Sequence, residues 1–502
     1  MLTRTSAFFP VLTAALTMPI AVMAVSFDQR VVVAAQEPSM RVLLSQASVV
    51  RLRADGDQPF LVRGLGRGDQ GMRSMEVSLR AGRLRIRGQL SDGSSRSLAA
   101  RSAIEVLGSE DPRGIWLGSR RYRGRLQFLV RGGQVQVVNH LGIETYLASV
   151  VGSEMPHRWP LPALQAQAVA ARTYALRQLG KAGDFDVKAT VSSQVYRGVE
   201  SETPSTIEAV ESTRSLVLVH AGRLINAVFH SSSGGATEPS GEVWRNQLPY
   251  LVSVADHDQH SPVHRWNKRF DDDALRDLFR ETGGVKRLQV LKTSSTGRVR
   301  TARVQGPRGS LVLTGRELRK RLGLKSTMVQ FELINGSTDS STASAIATAQ
   351  RAPQATSQAA AQAAPPLIGL WQDSASGPDT TSGNSTSSNT MSSNTASSSS
   401  GRLASLLPPP PLPPLLPLLN PSAFNQPRPD LKVGEIVLEA RGQGFGHGVG
   451  MSQWGAHGLA LQGADFREIL LHYYRGAEIR PYRSSDDPAV ALRLRSESAW
   501  WG

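Results

Sequence analysis

The chain has 502 residues, 40% of them hydrophobic, which is enough for two or three domains with their own cores. Its formal net charge of +16 favours an anionic partner, such as nucleic acid, a membrane surface or an acidic polymer. It contains no cysteine, which excludes disulfide bonds and thiolate metal sites. We predict neither a metal site nor a cofactor.

Residues 1–35 have the layout of an export signal. Arg4 precedes an apolar run, and small residues follow at Ala21 and Ala24. The run approaches the length of a membrane span, so an uncleaved N-terminal anchor is the alternative to a cleaved signal peptide. Both interpretations place the body of the protein in the periplasm or cell envelope. We predict membrane contact only through this segment, and only if it is not cleaved.

If the protein is exported, its positive charge indicates a different class of anionic partner. Nucleic acid is scarce outside the cytoplasm, and the sequence shows no aromatic and basic platform that would bind it. We therefore predict no nucleic-acid partner and favour an anionic cell envelope. The alternative is that the excess arginine only provides a solvated surface.

Residues 36–138 are predicted to form a β-rich N-terminal region. Apolar and polar residues alternate in RVLLSQASVVRLRA, MEVSLRAGRLRIRGQL, RLQFLV and QVQVVNHL, as in strands with one buried face. A helix is predicted over Leu161–Leu179, where leucine and alanine recur every three or four residues. Pro160 and Pro162 suit its first turn, and Gly180 suits its end.

Shorter elements follow the predicted helix. LVLVHAG, RLINAVFHS and YLVSVAD read as strands, and a short helix is predicted at Asp273–Thr282. Thr314 and Glu317 have the spacing of a capping box at the start of another helix. VQFELIN reads as a strand that ends near Asn335.

The composition changes sharply over residues 336–432. This stretch is dominated by Ser, Thr, Ala, Gln and Pro, so it is predicted to be a disordered insertion in a surface loop. The cost of closing a loop grows only logarithmically with its length, so VQFELIN and EIVLEARG are predicted to pair across the insertion. Residues 139–335 and 433–482 are then two parts of one core, followed by a tail at 483–502.

The segment GQGFGHGVGMSQWG has a glycine at every second position from Gly442 to Gly450. This spacing excludes a GxGxxG dinucleotide site. It predicts a strand with one bare backbone face, which a ligand or another element of the protein can approach. Ser452 is expected to cap the helix that follows.

Glu154 lies in GSEMPHRWP, just ahead of two prolines and a tryptophan. One interpretation is that it complements a helix N-terminus, which would lower its pKa. The other is that it acts as an acid whose pKa is raised by an apolar setting provided by Met155 and Trp159. The histidines of DHDQHSPVH lack the HExxH pattern, so a polar loop is favoured over a zinc site.

Four strings occur in order along the chain: YLASVVGSEMPHRWPLPALQAQAVAARTYAL at 146–176, FHSSSGGATEPSGEVW at 229–244, LPYLVSV at 248–254 and GFGHGVGMSQWGAHGLALQG…ILLHYYRG at 444–476. Together they resemble the SpoIID/LytB family, which comprises stage II sporulation protein D and the amidase-enhancer proteins. The resemblance implies an α+β fold. In it, a SpoIID-like domain of antiparallel β-structure with packed helices follows the β-rich region and is interrupted by the disordered insertion.

The resemblance implies two alternative functions. In the sporulation branch it implies a lytic transglycosylase that cleaves denuded peptidoglycan glycan strands and leaves 1,6-anhydromuramic ends. In the amidase-enhancer branch it implies a non-catalytic wall-binding protein that stimulates an N-acetylmuramoyl-L-alanine amidase. The partners are accordingly peptidoglycan glycan strands and, in the second case, a cell-wall amidase.

By the same resemblance Glu154 is the catalytic acid and Arg172 is a second catalytic-site residue. Arg172 would orient Glu154 or bind a glycan carboxylate, and a solvated helix arginine is the alternative. For Trp454 and its neighbour His457, packing in a glycine-rich junction is the alternative to sugar contact. A serine nucleophile beside His230 is disfavoured, because GxSxG is absent. The candidate substrate-binding residues are His230, Ser232, Tyr250, His447, Gln453 and Trp454.

Overall fold

The structure is a computed structural model that describes residues 37–65, 68–99, 102–108, 113–180, 183–335 and 436–483. The predicted export segment and the predicted disordered insertion lie outside the described residues. Both therefore stay predictions.

One large sheet dominates the N-terminal third of the chain, which confirms the β-rich character predicted there. On its second strand Val50 and Leu52 are buried while their neighbours are exposed, the period of two expected for a one-sided strand. The sheet contains twelve strands: β1 Ser39–Ala47, β2 Val49–Arg53, β3 Phe60–Arg63, β4 Gln70–Arg80, β5 Arg83–Leu90, β6 Ser95–Ala99, β7 Ala103–Leu107, β8 Ile115–Leu117, β9 Arg120–Tyr122, β10 Arg125–Arg131, β11 Gln134–Gly142 and β12 Val187–Lys188.

The sheet runs in the order β12-β1-β11-β10-β7-β3-β4-β2-β8-β9, and β5 and β6 branch from β4. Neighbouring strands are antiparallel except for the short β1–β12 pair. The register opposes Ser39 to Gly142 at the end of β11. The next residue, Ile143, begins the first helix, so the sheet fixes where that helix starts.

The described residues contain eight α-helices, which together with the strands fit the predicted α+β class. Their bounds are α1 Ile143–Glu154, α2 Leu161–Gln178, α3 Pro204–Glu211, α4 Ser240–Val243, α5 Asp272–Leu278, α6 Gly315–Leu322, α7 Gln453–Leu461 and α8 Phe466–Tyr473. A 3-10 turn covers Gly198–Ser201. None of the helices described in the structure is long and apolar enough to cross a membrane.

Helix α2 lies at the centre of the larger core, where α1, α3, α7 and α8 pack around it. Its bounds confirm the prediction to within one residue at the C-terminus. Ala168, Ala171 and Ala175 are fully buried, because a stripe of small side chains allows the neighbouring helices to approach closely. Helix α5 ends at Leu278, four residues before its predicted end at Thr282, with Asp271 as its N-cap.

The second half of the chain adds four small sheets: β14-β13-β23, β15-β22, β16-β21-β20 and β17-β18-β19. The strands are β13 Leu216–His220, β14 Arg223–Leu224, β15 Phe229–His230, β16 Arg265–Phe270, β17 Arg287–Thr293, β18 Val299–Gly306, β19 Gly309–Thr314, β20 Val329–Asn335, β21 Ile436–Gln443, β22 Met451–Ser452 and β23 Glu478–Pro481. YLVSVAD is not a strand and makes only an isolated bridge at Ala255.

Strands β20 and β21 pair antiparallel from Val329–Gly442 to Asn335–Ile436, which confirms the predicted pairing across the insertion. They belong to a second core that also includes Trp266 and Phe279. Thr314 caps α6 through a reciprocal capping box with Glu317, as predicted. The two parts of the chain that flank the insertion therefore form one folded structure.

The glycine-rich segment is not the strand that its spacing predicts. Strand β21 ends at Gln443, and Gly444, Gly446, Gly448 and Gly450 all have positive φ, between 71° and 114°. Protein atoms lie against them, since a Cβ on Gly448 would come within 2.5 Å of the Arg298 guanidinium. The alternating glycines allow a turn-rich backbone to pack closely on neighbouring elements of the protein.

Candidate functional site

Glu154 is the last residue of α1, where the chain turns through Met155 and Pro156 towards α2. The interpretation that it complements a helix N-terminus is therefore wrong. At the C-terminal end of a helix the unpaired carbonyl groups disfavour a negative charge. Glu154 is 8% exposed, and Met155 beside it is buried, as the prediction of an apolar setting requires.

Two hydrogen bonds hold the Glu154 carboxyl group in place. The Val195 N–H donates to Oε1 at 2.8 Å, and the Gln453 side-chain amide donates to Oε2 at 3.2 Å. Gln453 is the first residue of α7, and the predicted cap of that helix is confirmed, because the Ser452 hydroxyl accepts from the Gly455 N–H. The structure thus joins two of the predicted site residues, which are 299 positions apart in the chain.

Burial raises the pKa of Glu154 from its ordinary value of 4.5 to about 7. The hydrogen bonds from Val195 and Gln453 and the positive charge of Arg197 lower the pKa, but together they offset only part of the effect of burial. Protonated and ionised forms are therefore both populated near neutral pH. Such a group can first donate a proton and then accept one.

The segment 194–197 crosses α1 and supplies contacts that the sequence did not predict. The Gln194 amide donates to the Ala171 carbonyl at 3.2 Å, and the Tyr146 hydroxyl donates to the Gln194 side-chain oxygen at 3.0 Å. The Arg197 N–H donates to the Ser149 hydroxyl at 3.3 Å. These bonds fix the Val195 N–H at the end of α1, where it meets the Glu154 carboxylate.

Gly152 lets α1 approach the 3-10 turn at Gly198–Ser201, and this contact sets the position of Glu154. A Cβ on Gly152 would lie 1.9 Å from the Ser201 carbonyl oxygen, a backbone atom that cannot rotate away. We expect Gly152→Ala to destabilise the protein by about 1–3 kcal/mol, because the helix must shift. Denaturant unfolding measures this cost, and an unchanged midpoint would contradict the close packing seen here.

Gly463 is a matched control for this substitution in one respect, because nothing lies within 4 Å of the position that a Cβ would take there. Its φ of 94° nevertheless adds backbone strain to an alanine at this position. If Gly152→Ala lowers the free energy of unfolding more than Gly463→Ala does, the difference reports steric overlap with Ser201 rather than backbone strain.

Trp159, Trp454 and His457 form an aromatic cluster beside Gln453. The ring centroids of Trp159 and Trp454 are 4.7 Å apart in an edge-to-face arrangement, and His457 lies 4.7 Å from Trp159. All three side chains are half-buried. Trp454 thus packs in the junction, and the part of its ring that faces solvent is what could contact a sugar.

The structure places Arg172 away from Glu154. Its guanidinium is 1% exposed and forms a buried ion pair with Glu144 at 2.6 Å, and it also donates to the carbonyl groups of Val210 and Leu216. The interpretation of Arg172 as a solvated arginine is therefore wrong, and its part in the reaction stays a prediction. Arg172 joins α1 to α2 and so supports the helix that carries Glu154.

The other predicted sugar contacts form hydrogen bonds with protein groups other than Glu154. His230, Ser232 and Tyr250 are buried. His230 Nδ1 bonds the Val449 carbonyl, Ser232 donates to Asp258, and the Tyr250 hydroxyl accepts from a backbone N–H. His447 Nδ1 accepts from the Val449 N–H, and burial lowers the pKa of His447 to about 4. The side chains of His230 and His447 thus help to hold the glycine-rich segment in place through Val449.

The segment DHDQHSPVH forms a loop, as predicted, but its aspartates are buried. The Tyr473 hydroxyl donates to Asp256 at 2.5 Å, and His264 Nδ1 lies 3.0 Å from Asp258. Burial, and then the charge of Asp258, raise the pKa of Asp256. Within the described residues no three His, Asp or Glu side chains are grouped to hold a metal ion.

Comparisons with known proteins cover the region that contains Glu154. Residues 131–220, which include α1, α2 and the segment that contacts Glu154, match the family model "SpoIID: Stage II sporulation protein". An uncharacterized protein of Brachyspira hyodysenteriae is 27% identical over 372 residues, which cover 74% of this chain and 75% of that protein.

Two relatives from Bacillus subtilis carry functional names. The amidase enhancer is 29% identical over 340 residues, which cover 67% of this chain and 40% of that protein. Stage II sporulation protein D is 31% identical over 230 residues, which cover 40% of this chain and 64% of that protein. The match thus spans less than two thirds of either relative. The family model over residues 131–220 and these relatives together support the SpoIID/LytB family, as the sequence resemblance predicted.

Proposed function

We propose that the protein is a peptidoglycan lytic transglycosylase in which Glu154 acts as both general acid and general base. The observation that carries the proposal is a buried carboxyl group that burial brings to a pKa of about 7. Its position next to half-buried aromatic side chains supports a sugar substrate. Membership of a family with cell-wall functions supports peptidoglycan as the polymer.

The proposed reaction needs one carboxyl group. Protonated Glu154 donates its proton to the oxygen that links muramic acid to the next sugar, and the bond from that oxygen to C1 breaks. The positive charge that develops at C1 is relieved when the C6 hydroxyl of the same muramic acid bonds to C1. The Glu154 carboxylate accepts the hydroxyl proton, which regenerates the acid and leaves a 1,6-anhydro ring without consuming water.

The contacts of Glu154 suit this double role. The Val195 N–H holds one oxygen as a fixed backbone donor, and Gln453 holds the other through a side-chain amide. Both bonds stabilise the ionised form that exists after proton donation. Burial favours the protonated form that starts the cycle, so neither form is strongly preferred near neutral pH.

The rate is expected to depend on pH through Glu154. Because the acid must be protonated at the start, kcat/KM should fall above a midpoint near pH 7. The positive charge of Arg197 lowers the pKa of Glu154, so Arg197→Gln should move this midpoint to higher pH. Rates of glycan cleavage between pH 5 and pH 9 measure the shift.

Arg120→Gln is the matched control for this substitution. Arg120 is exposed, and its positive charge lowers the pKa of Arg197. It is not among the groups that shift the pKa of Glu154. Its removal should leave the midpoint in place. A midpoint that stays fixed or falls when Arg197 is replaced would contradict the assignment of the pH dependence to Glu154.

Product analysis tests the proposal directly. The purified protein is incubated with peptide-free glycan strands, and the products are examined by mass spectrometry. Fragments that end in 1,6-anhydromuramic acid are expected. Fragments with reducing muramic ends would indicate a hydrolase, and intact glycan would contradict enzymatic function.

A second candidate function is stimulation of a cell-wall amidase without turnover of glycan. It is favoured by the relative named amidase enhancer, whose match covers 67% of this chain. An N-acetylmuramoyl-L-alanine amidase is assayed on intact peptidoglycan with and without the protein. Faster peptide release by the amidase, together with no anhydro products from glycan alone, would favour this second function. Both candidates require export to the cell envelope, which is part of the proposal.

A further inference from the structure

The three-stranded sheet β17-β18-β19 has one covered face and one open face. Its inner side chains, among them Ala302, Val304 and Leu313, belong to the second core together with Leu318 of α6. The alternate residues of the strands point the other way and are exposed or half-buried. Nothing among the described residues covers this outer face.

Three cations lie close together on the outer face. Arg287 is opposite Gln305, and Lys292 is opposite Thr301, so both are diagonal to Arg303 on the central strand. Diagonal neighbours in an antiparallel pair are about 7–8 Å apart. The face therefore presents a cluster of three positive charges, two on β17 and one between them on β18.

The outer face carries no carboxylate. Its other members are polar or small, and in the register they are Gln289, Thr301, Gln305, Ser310, Val312 and Thr314. Arg287, Lys292 and Arg303 are exposed and form no ion pair with any carboxylate of the described residues. Their charges are therefore directed to solvent or to a partner.

Other arginines of the same region are neutralised in place. Arg276 pairs with Asp272, Arg300 pairs with Glu242, and Arg321 pairs with Glu281 at 2.9 Å. Several arginines of this region are thus compensated by carboxylates of the described residues, whereas the three cations of the outer face are not. An uncompensated cluster of cations on a hydrogen-bonding surface is complementary to a polymer that carries anions.

We propose that the outer face of β17-β18-β19 binds the carboxylate-bearing stem peptides of intact peptidoglycan. The planar guanidinium groups of Arg287 and Arg303 match carboxylates, and the neighbouring amide and hydroxyl side chains match peptide groups. A lipid surface is disfavoured because the face has no aromatic side chain, and Leu291 and Val312 are the only large aliphatic residues that the described strands β17, β18 and β19 expose.

This inference rests on the proposed function for the identity of the polymer. The outer face and Glu154 then have separate tasks, since one holds peptide-bearing wall and the other acts on the glycan. Two linked contacts to one polymer raise the local concentration of the second site. The protein would thereby stay on the wall between cleavage events.

The test is co-sedimentation of the full-length protein with purified peptidoglycan that retains its stem peptides. The triple variant Arg287→Glu, Lys292→Glu, Arg303→Glu is expected to bind about tenfold or more weakly, because each exposed cation contributes to binding an anionic surface. Arg303→Gln alone should give a smaller loss in the same direction. Amidation of the peptidoglycan carboxyl groups should weaken binding of the wild type and remove the difference between it and the triple variant.

A second triple variant on β5, Arg83→Glu, Arg85→Glu, Arg87→Glu, makes the same charge change on another sheet face and should bind peptidoglycan more tightly than the first. Equal losses of peptidoglycan binding in the two triple variants would show a nonspecific effect of net charge and would overturn the proposal. Binding by the β17–β18 triple variant that equals that of the wild type would also overturn it. If the first triple variant loses binding to anionic phospholipid vesicles but not to peptidoglycan, the face binds lipid and the proposal is wrong. Cleavage of peptide-free glycan is measured separately, so failure of the proposed enzyme activity leaves this binding test intact.

Discussion

Glu154→Gln is expected to lower glycan cleavage by about 10²–10⁴-fold, the usual contribution of a positioned acid or base. The amide has nearly the same shape as the carboxyl group and can still accept the hydrogen bond from the Val195 N–H. It cannot donate a proton to a glycosidic oxygen. The loss should therefore fall on kcat, while binding of glycan is retained.

The stability of this variant provides an independent measure of the raised pKa. Burial raises the pKa of Glu154 to about 7, so the folded state resists ionisation that the unfolded state undergoes near 4.5. The wild type should thus lose stability relative to Glu154→Gln as the pH rises from 4 to 8, by about 3 kcal/mol in all. Urea unfolding at both pH values measures the difference.

The exposed Glu208 of α3 provides the matched control, since Glu208→Gln makes the same chemical change away from the site. Its activity should equal that of the wild type, and its relative stability should vary little with pH. Undiminished cleavage by Glu154→Gln would exclude Glu154 as the acid. A relative stability that does not change with pH would instead show that its carboxyl group is solvated.

Local patterns in the sequence predicted the helices that surround the site. The alanine and leucine stripe predicted α2, and the Ser452 cap predicted the start of α7. The apolar neighbours of Glu154 predicted the direction of its pKa shift. Each of these depends on residues close together in the chain, where helix periodicity and capping are decisive.

Long-range contacts and backbone donors could not be predicted in this way. The bond from the Val195 N–H to Glu154 spans 41 residues, and backbone amides are the same at every position of a sequence. The start of α1 was missed although Ile143, Tyr146, Leu147 and Val150 carry a helical stripe, because the preceding strand β11 is also apolar. That error placed Glu154 at the wrong end of a helix.

Arg172→Met is expected to destabilise the protein by about 3–5 kcal/mol, the usual cost of breaking a buried ion pair from one side. Glu144 would keep its charge in a buried position without the guanidinium beside it, although the Ser215 N–H still donates to it. Arg177→Met in the same helix is the control. Arg177 is exposed and donates one hydrogen bond to a carbonyl group, so its replacement should cost less than about 1 kcal/mol.

The double variant Arg172→Met, Glu144→Leu separates a structural role from a catalytic one. Removing both charges leaves no uncompensated ion, so much of the lost stability should return. If Arg172 acts only by supporting α1, glycan cleavage per folded molecule should return as well, because Glu154 keeps its partners Val195 and Gln453. A stable double variant that cannot cleave glycan would show instead that the guanidinium takes part in the reaction, as the resemblance implied.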